Sequence, residues 1–116
     1  MKGHRWIAAC YDLANSADEG VLGPIRRRLL GDLHGRVLEL GAGTGFSFSY
    51  YPGGAAVVAT EPDPFMLRRA AVRARQPRED GMGHGGRPTI RLVQCAAEAL
   101  PFRPGVFDAA VAAVVL

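Results

Sequence analysis

Arg36-Val-Leu-Glu-Leu-Gly-Ala-Gly-Thr-Gly45 is the stretch that decides the fold. Val37, Leu38 and Leu40, broken only by Glu39, read as a strand buried on both faces, as strands of parallel sheets are. Gly41, Gly43 and Gly45 follow at once. Glycine has no Cβ and takes positive φ without strain, so a ligand can lie against this backbone where a side chain would collide. An ordinary strand-to-helix turn also uses glycine, yet it seldom needs three, and the mechanics of the motif favour a nucleotide-like ligand.

Downstream of the glycines, Phe46 to Tyr51 reads as a short helical turn that Pro52, Gly53 and Gly54 stop. Its aromatic cluster of Phe46, Phe48, Tyr50 and Tyr51 reads as core before it reads as a substrate surface. Ala55 to Thr60 is a second apolar strand ending in Glu61, an acid about 20 residues beyond the loop, where a carboxylate can accept from ribose hydroxyls. Asp63 is a natural N-cap and Pro64 a natural first helical residue, so Phe65 to Arg75 reads as a helix with Met66, Leu67, Ala70, Ala71 and Ala74 against the sheet. Gln76 to Pro88 is a glycine-rich polar loop containing a solvated His84. Thr89 to Cys95 is a strand nearer the sheet edge, Ala96 to Gly105 a loop, and Val106 to Leu116 a fourth strand.

Upstream, His4 to Asn15 has the mixed spacing of a short amphipathic helix. A second helix starts near Asp18 or Glu19, with Ile25, Leu29, Leu30 and Leu33 facing inward, Arg26 to Arg28 opposite, and Gly35 as its cap. The expected organisation is N-terminal helices over 1–35 and a partial nucleotide-binding domain over 36–116. Strands alternating with helices give an α/β architecture, a Rossmann-like three-layer sandwich with a mostly parallel sheet.

Composition narrows the function classes. Fourteen Lys and Arg against 11 Asp and Glu give a net charge of only +3, so a nucleic-acid partner is not expected. The clustered arginines read as solvated helix faces, with contact to an anionic membrane surface as the alternative. Cys10 and Cys95 form neither a metal spacing nor a disulfide framework, and no run has signal-peptide or membrane-spanning character, so a cytoplasmic protein is expected. His4, His34 and His84 lack a recognisable nucleophile partner. No catalytic residue and no metal ligand is assigned.

Taken in order, Val37 to Gly45, Val57 to Asp63, Met66 to Ala70, Ala97 to Phe102 and Phe107-Asp108 resemble class I S-adenosylmethionine-dependent methyltransferases. The nearest likeness is to the type 11 group, which includes quinone, phospholipid and small-thiol methyltransferases. The resemblance implies S-adenosylmethionine as cofactor and a small or lipid-like methyl acceptor. It implies that Glu39 orients the loop and reaches toward the methionine amino group, and that Gly41, Ala42, Gly43 and Gly45 lie under that end. Glu61 is then the acid on the ribose hydroxyls, Pro62 and Met66 line the adenine, Ala96, Ala97 and Glu98 border its edge, and Tyr11 closes over the cofactor. The family's usual Asp or Asn before the Ala-Glu pair is Ala96 here, which leaves adenine recognition to backbone groups.

The family's strand order is 3-2-1-4-5-7-6, and this sequence is expected to supply only 3-2-1-4, ending inside the fourth strand. A bare apolar edge follows, one for a partner or a second copy to cover, and the acceptor-contacting residues expected beyond it are absent. Two alternatives stay open: a non-catalytic, partner-dependent cofactor-binding remnant, and a NAD- or FAD-binding oxidoreductase. The second is opposed by Phe46, which stands where the dinucleotide loop needs its third small residue.

Overall fold

A computed structural model describes residues 8–12, 19–76 and 86–114. The elements in chain order are β1 (Ala8–Asp12), α1 (Glu19–Leu30), β2 (Gly35–Leu40), a 3-10 turn (Phe46–Tyr50), β3 (Ala55–Thr60), α2 (Pro64–Arg75), β4 (Thr89–Val93) and β5 (Ala109–Val114). All strands pair in parallel in one sheet of order β1-β5-β2-β3-β4. Counted from the strand before the glycines, that is 3-2-1-4, with β4 at the expected edge.

Strand alternation sorts the sheet into two faces. Val37, Val57, Ala59, Ala109 and Val111 point to one face, where they pack with Leu30 of α1, Phe48, Tyr51 and Ala70 of α2. Leu38 and Ala110 point to the other and meet Phe107, Leu100, Phe102 and Val106. The loop between β4 and β5 therefore forms the third layer, pinned by an edge-to-face contact of Phe102 with Phe107 at 5.2 Å. A cavity of about 230 Å³ on this side is lined by Arg36, Val58, Arg91, Phe102 and Phe107, toward the strands' N-terminal ends and away from the glycine loop. Among the described residues no helix is long and apolar enough to cross a membrane.

The N-terminal expectations need correction. Ala8–Asp12 is a strand, where a helix was expected over His4 to Asn15. Five residues are too few to separate a period of 2 from one of 3.6, and the unpaired edge of β5 offers a ladder of backbone partners that decides the matter. Ala8 to Asp12 pair one for one with Ala110 to Val114, so the edge of the fourth strand is not bare. The inward face of α1 differs in part from the expectation. Leu30 and, just beyond the helix, Leu33 are buried as expected, but among the described side chains of α1 Arg26 is buried too while Leu29 is 37% exposed, so Arg26 lies inside rather than on a solvated face.

The helix closes with Gly31 N–H donating to the Arg27 carbonyl at 2.9 Å, so Gly35 is not its cap. Gly35 opens β2 instead, at φ +78. In α2, Ala70 is buried but Met66 is 40% exposed and does not face the core. The 77–85 loop with His84 lies outside the described residues.

Gly35 is held where Asp108 folds back on β2. The Asp108 Oδ2 accepts from Arg36 N–H at 2.9 Å, and the Asp108 N–H donates to the Arg36 carbonyl at 2.8 Å. A Cβ at Gly35 falls 2.4 Å from that same Oδ2. Gly35→Ala is expected to lower the unfolding free energy in urea by about 1–3 kcal/mol. In an Asp108→Ala background, where the collision is gone, the same change costs about 1 kcal/mol, the strain at positive φ alone.

Candidate functional site

The C-terminal ends of β2, β3 and β4 are sewn together by hydrogen bonds between the segments that follow them. Ala42 N–H donates to the Thr60 carbonyl at 2.9 Å, and Glu61 N–H to the Val93 carbonyl at 3.2 Å. Between these two links Gly43 N–H donates to Oε1 of Glu61 at 2.8 Å. The second Glu61 oxygen accepts from Asp63 N–H at 3.0 Å. The acid at the end of β3 is thus anchored to the glycine loop on one side and to the start of α2 on the other, and it is 8% exposed. Sheet order reverses between β2 and β5, and in open α/β sheets ligands enter at such a switch point, outside the carboxyl ends of the strands.

The glycines divide their work. Gly43 has φ +59, and a Cβ built there meets nothing within 4 Å, so the space above it is open for a ligand to rest on the backbone. Gly45, at φ +88, is needed for packing: a Cβ there falls 2.6 Å from the Phe48 ring. The 3-10 turn that follows buries Phe48 and Tyr51, while Phe46 stays 38% exposed with the Arg73 guanidinium 4.3 Å over its ring.

Glu39 is fully buried on the helix side of β2. Its oxygens accept from Ser47 Oγ–H at 2.6 Å and from the Tyr51 hydroxyl at 2.5 Å. The carboxylate therefore grips both ends of the turn that carries the glycine loop into β3. Its oxygens face those hydroxyls.

Of the other expected site residues, Pro62, next after Glu61 in the chain, and Met66, on α2, are exposed, and Ala96, Ala97 and Glu98 form a turn after β4 with Ala99 N–H on the Ala96 carbonyl at 3.0 Å. Tyr11 pairs with Ala113 on β1, two strands from β2. Its side chain lies outside the described residues. Sequence reading missed Ser47 and Tyr51 as partners of Glu39, and it missed Gln94, whose Nε2–H donates to the Pro62 carbonyl at 3.1 Å. The signal for the first two was available, since an acid inside an apolar strand requires nearby donors.

Residues 38–116 match the family described as a methyltransferase domain. The chain is 38% identical over 115 residues to an uncharacterized protein of Mycobacterium tuberculosis and to one of Mycobacterium bovis. Each alignment covers 96% of this chain, which spans 39% of the relative's length. Among solved structures it resembles the YcgJ protein from Bacillus subtilis, with TM-score 0.56 and 25% identity over 78% of this chain and 36% of that one. The glycopeptide N-methyltransferase MtfA complexed with sinefungin aligns with TM-score 0.47 and 27% identity, over 90% and 41% of the two chains.

Burial raises the Glu39 pKa from 4.5 to about 7, against the opposing pull of the Ser47 and Tyr51 hydrogen bonds. Between those two values the native chain holds a proton that the unfolded chain has released. The group's contribution to stability therefore falls as pH rises through that window and levels off above it, a loss of roughly 3 kcal/mol in all. Glu39→Gln keeps the shape and an acceptor but cannot ionise. Measured by urea unfolding, the variant is expected to gain on the native protein by up to about 3 kcal/mol between pH 4.5 and pH 8. A difference that does not change with pH would remove the assignment.

Proposed function

Because this chain belongs to the methyltransferase-domain family, the class I S-adenosylmethionine-dependent methyltransferases, we propose that it binds S-adenosylmethionine across the ends of β2, β3 and β4 for methyl transfer to a small or lipid-like acceptor. The observation that carries this reading is the Glu61–Gly43 hydrogen bond beneath open space: a ribose-type acceptor and a bare-backbone cradle joined as one surface. Two backbone N–H groups occupy only part of the carboxylate's accepting capacity, which leaves room for vicinal hydroxyls.

When bound, the cofactor supplies an electrophilic methyl on a sulfonium whose sulfur leaves as a neutral thioether. The chain's own residues bind and align. Gly43 admits close approach, Glu61 fixes the sugar, and Glu39, through Ser47 and Tyr51, keeps the loop from shifting. Such positioning of reactants accounts for about 7–11 kcal/mol of barrier in favourable cases, without a general base. Exposed Arg68, Arg69, Arg73 and Arg75 on α2 support peripheral contact with an anionic membrane surface, which suits a lipid-like acceptor. A cytoplasmic location belongs to the same reading, supported by cysteine usage.

Calorimetry tests this directly. S-Adenosylmethionine and S-adenosylhomocysteine are expected to bind and NAD is not. Glu61→Ala is expected to weaken binding by about 1–3 kcal/mol, the cost of removing a charged acceptor. Tight NAD binding with no response to either sulfur nucleotide would overturn the proposal. Binding without transfer to any quinone, thiol or phospholipid acceptor would favour a cofactor-binding remnant.

A further inference from the structure

On the sheet face away from α1 and α2, the N-terminal halves of β2, β3 and β4 carry an uneven surface. Arg36, Ala56 and Thr89 stand side by side in register, and Leu38, Val58 and Arg91 make the next row of the same face. Ala56 reaches no further than its Cβ, so the surface dips between its longer neighbours. That dip is the cavity of about 230 Å³: Ala56 and Val58 form its floor, Phe102 and Phe107 its wall, and Arg36 and Arg91 line it from the strands on either side of β3. Phe107 is buried and meets Phe102 edge to face, which holds the wall in place. Among the described residues neither guanidinium has a hydrogen-bond or ion-pair partner, and the Asp108 Oδ2 is taken by the Arg36 backbone N–H instead. Exposed arginines ordinarily need no partner, because water serves. This pair differs in having an apolar hollow between its members, which favours a ligand that takes apolar surface out of water.

We propose that this cavity binds a medium-chain fatty acid anion, its chain over Ala56 and Val58 against the two phenylalanines and its carboxylate between Arg36 and Arg91. An apolar body with one negative end satisfies both parts of the lining, and guanidiniums are planar donors suited to carboxylates. β2 and β4 lie two strand spacings apart, about 10 Å, so the two cations approach one head group from either side. The volume is below the roughly 300–1,000 Å³ of pockets for drug-sized ligands, which suits a single short chain and is too small for a diacyl lipid. The cavity lies toward the strands' N-terminal ends, whereas the glycine loop follows the C-terminal end of β2. Its occupant is therefore neither the cofactor nor the methyl acceptor, and the inference does not depend on the cofactor reading.

The test is calorimetry of octanoate with the full chain and its variants, with thermal unfolding as a check on folding. Octanoate is expected to bind, and octanol, which has the same chain without the charge, to bind about tenfold or more weakly. Ala56→Leu, which fills the hollow from an exposed position, is expected to abolish octanoate binding. Arg36→Gln combined with Arg91→Gln is expected to weaken it about tenfold or more and to bring the two ligands close to parity. Removing two charges from α2 instead, by Arg68→Gln with Arg69→Gln, is expected to leave octanoate binding unchanged, which separates this site from general attraction to a basic chain. The proposal is overturned if the native protein does not bind octanoate, or binds octanol as well. It is equally overturned if a folded Ala56→Leu variant still binds, or if the α2 pair weakens binding as much as the Arg36 and Arg91 pair. Octanoate is expected to bind equally with S-adenosylhomocysteine present; competition would put it in the glycine-loop site and overturn the proposal. A chain that binds octanoate but no S-adenosylhomocysteine loses the cofactor reading and keeps this one.

Discussion

A carboxylate with no exposed surface, gripped by two hydroxyls, is the constraint on which the glycine-loop end of this molecule depends. Glu39 lies in the middle of the apolar sheet, in register with Ala59 on one side and Val111 on the other. Leaving water is costly for such a group, and hydrogen bonds from Ser47 and Tyr51 offset only part of that cost. A hydrophobic residue of similar size would suit the core better. What the acid adds is direction. It ties the strand before the glycines to the turn after them, so Gly41 to Gly45 are clamped at both ends while the backbone between stays bare. Thr60, whose hydroxyl donates to the Glu39 carbonyl at 3.2 Å, extends the same clamp to β3.

From that clamp outward the site is largely backbone. Gly43, Glu61 and Asp63 form one run of contacts, and Val93 and Gln94 attach it to β4. Few side chains are asked to hold a precise rotamer, so most of the site's shape follows once the strands are in register. The Asp63 side chain caps α2 by accepting from Phe65 N–H at 2.8 Å, and that fixes where the helix begins relative to Glu61.

Much of this was legible in the sequence, for reasons that differ by residue. β2 and β3 announce themselves because strands buried on both faces need continuous apolar runs, and Asp63-Pro64 marks a helix start through capping chemistry and fixed φ. Local signals failed where tertiary competition decided the outcome. Ala8–Asp12 became a strand because an edge was available to it. Arg26 went inside because helix rotation is set by the sum of packing on α1, which its apolar residues alone do not reveal. Glu39 was recognised as special, but its partners 8 and 12 residues on could be named only once the turn had brought them back over the strand. The Gln94 contact carried no sequence signal at all, since its partner is a carbonyl 32 residues away.

The position of β1 also says something about how the molecule comes together. Neighbouring strands β2 and β3 pair residues about 20 apart, whereas β1 joins β5 across about 100 residues, the longest loop in the sheet. Closing a loop costs more entropy the longer it is, and β1 has a neighbour on one side only, so it repays that cost with half the backbone contacts of an inner strand. The core of β4, β3, β2 and β5 can therefore assemble first, with β1 arriving last and fraying first. Until it arrives, the alanine- and valine-rich edge of β5 is open to any other strand, and only five residue pairs hold it afterwards. Ala8–Asp12 act as a guard on that edge, and association between chains in the unfolded-to-folded interval is where their loss would be felt.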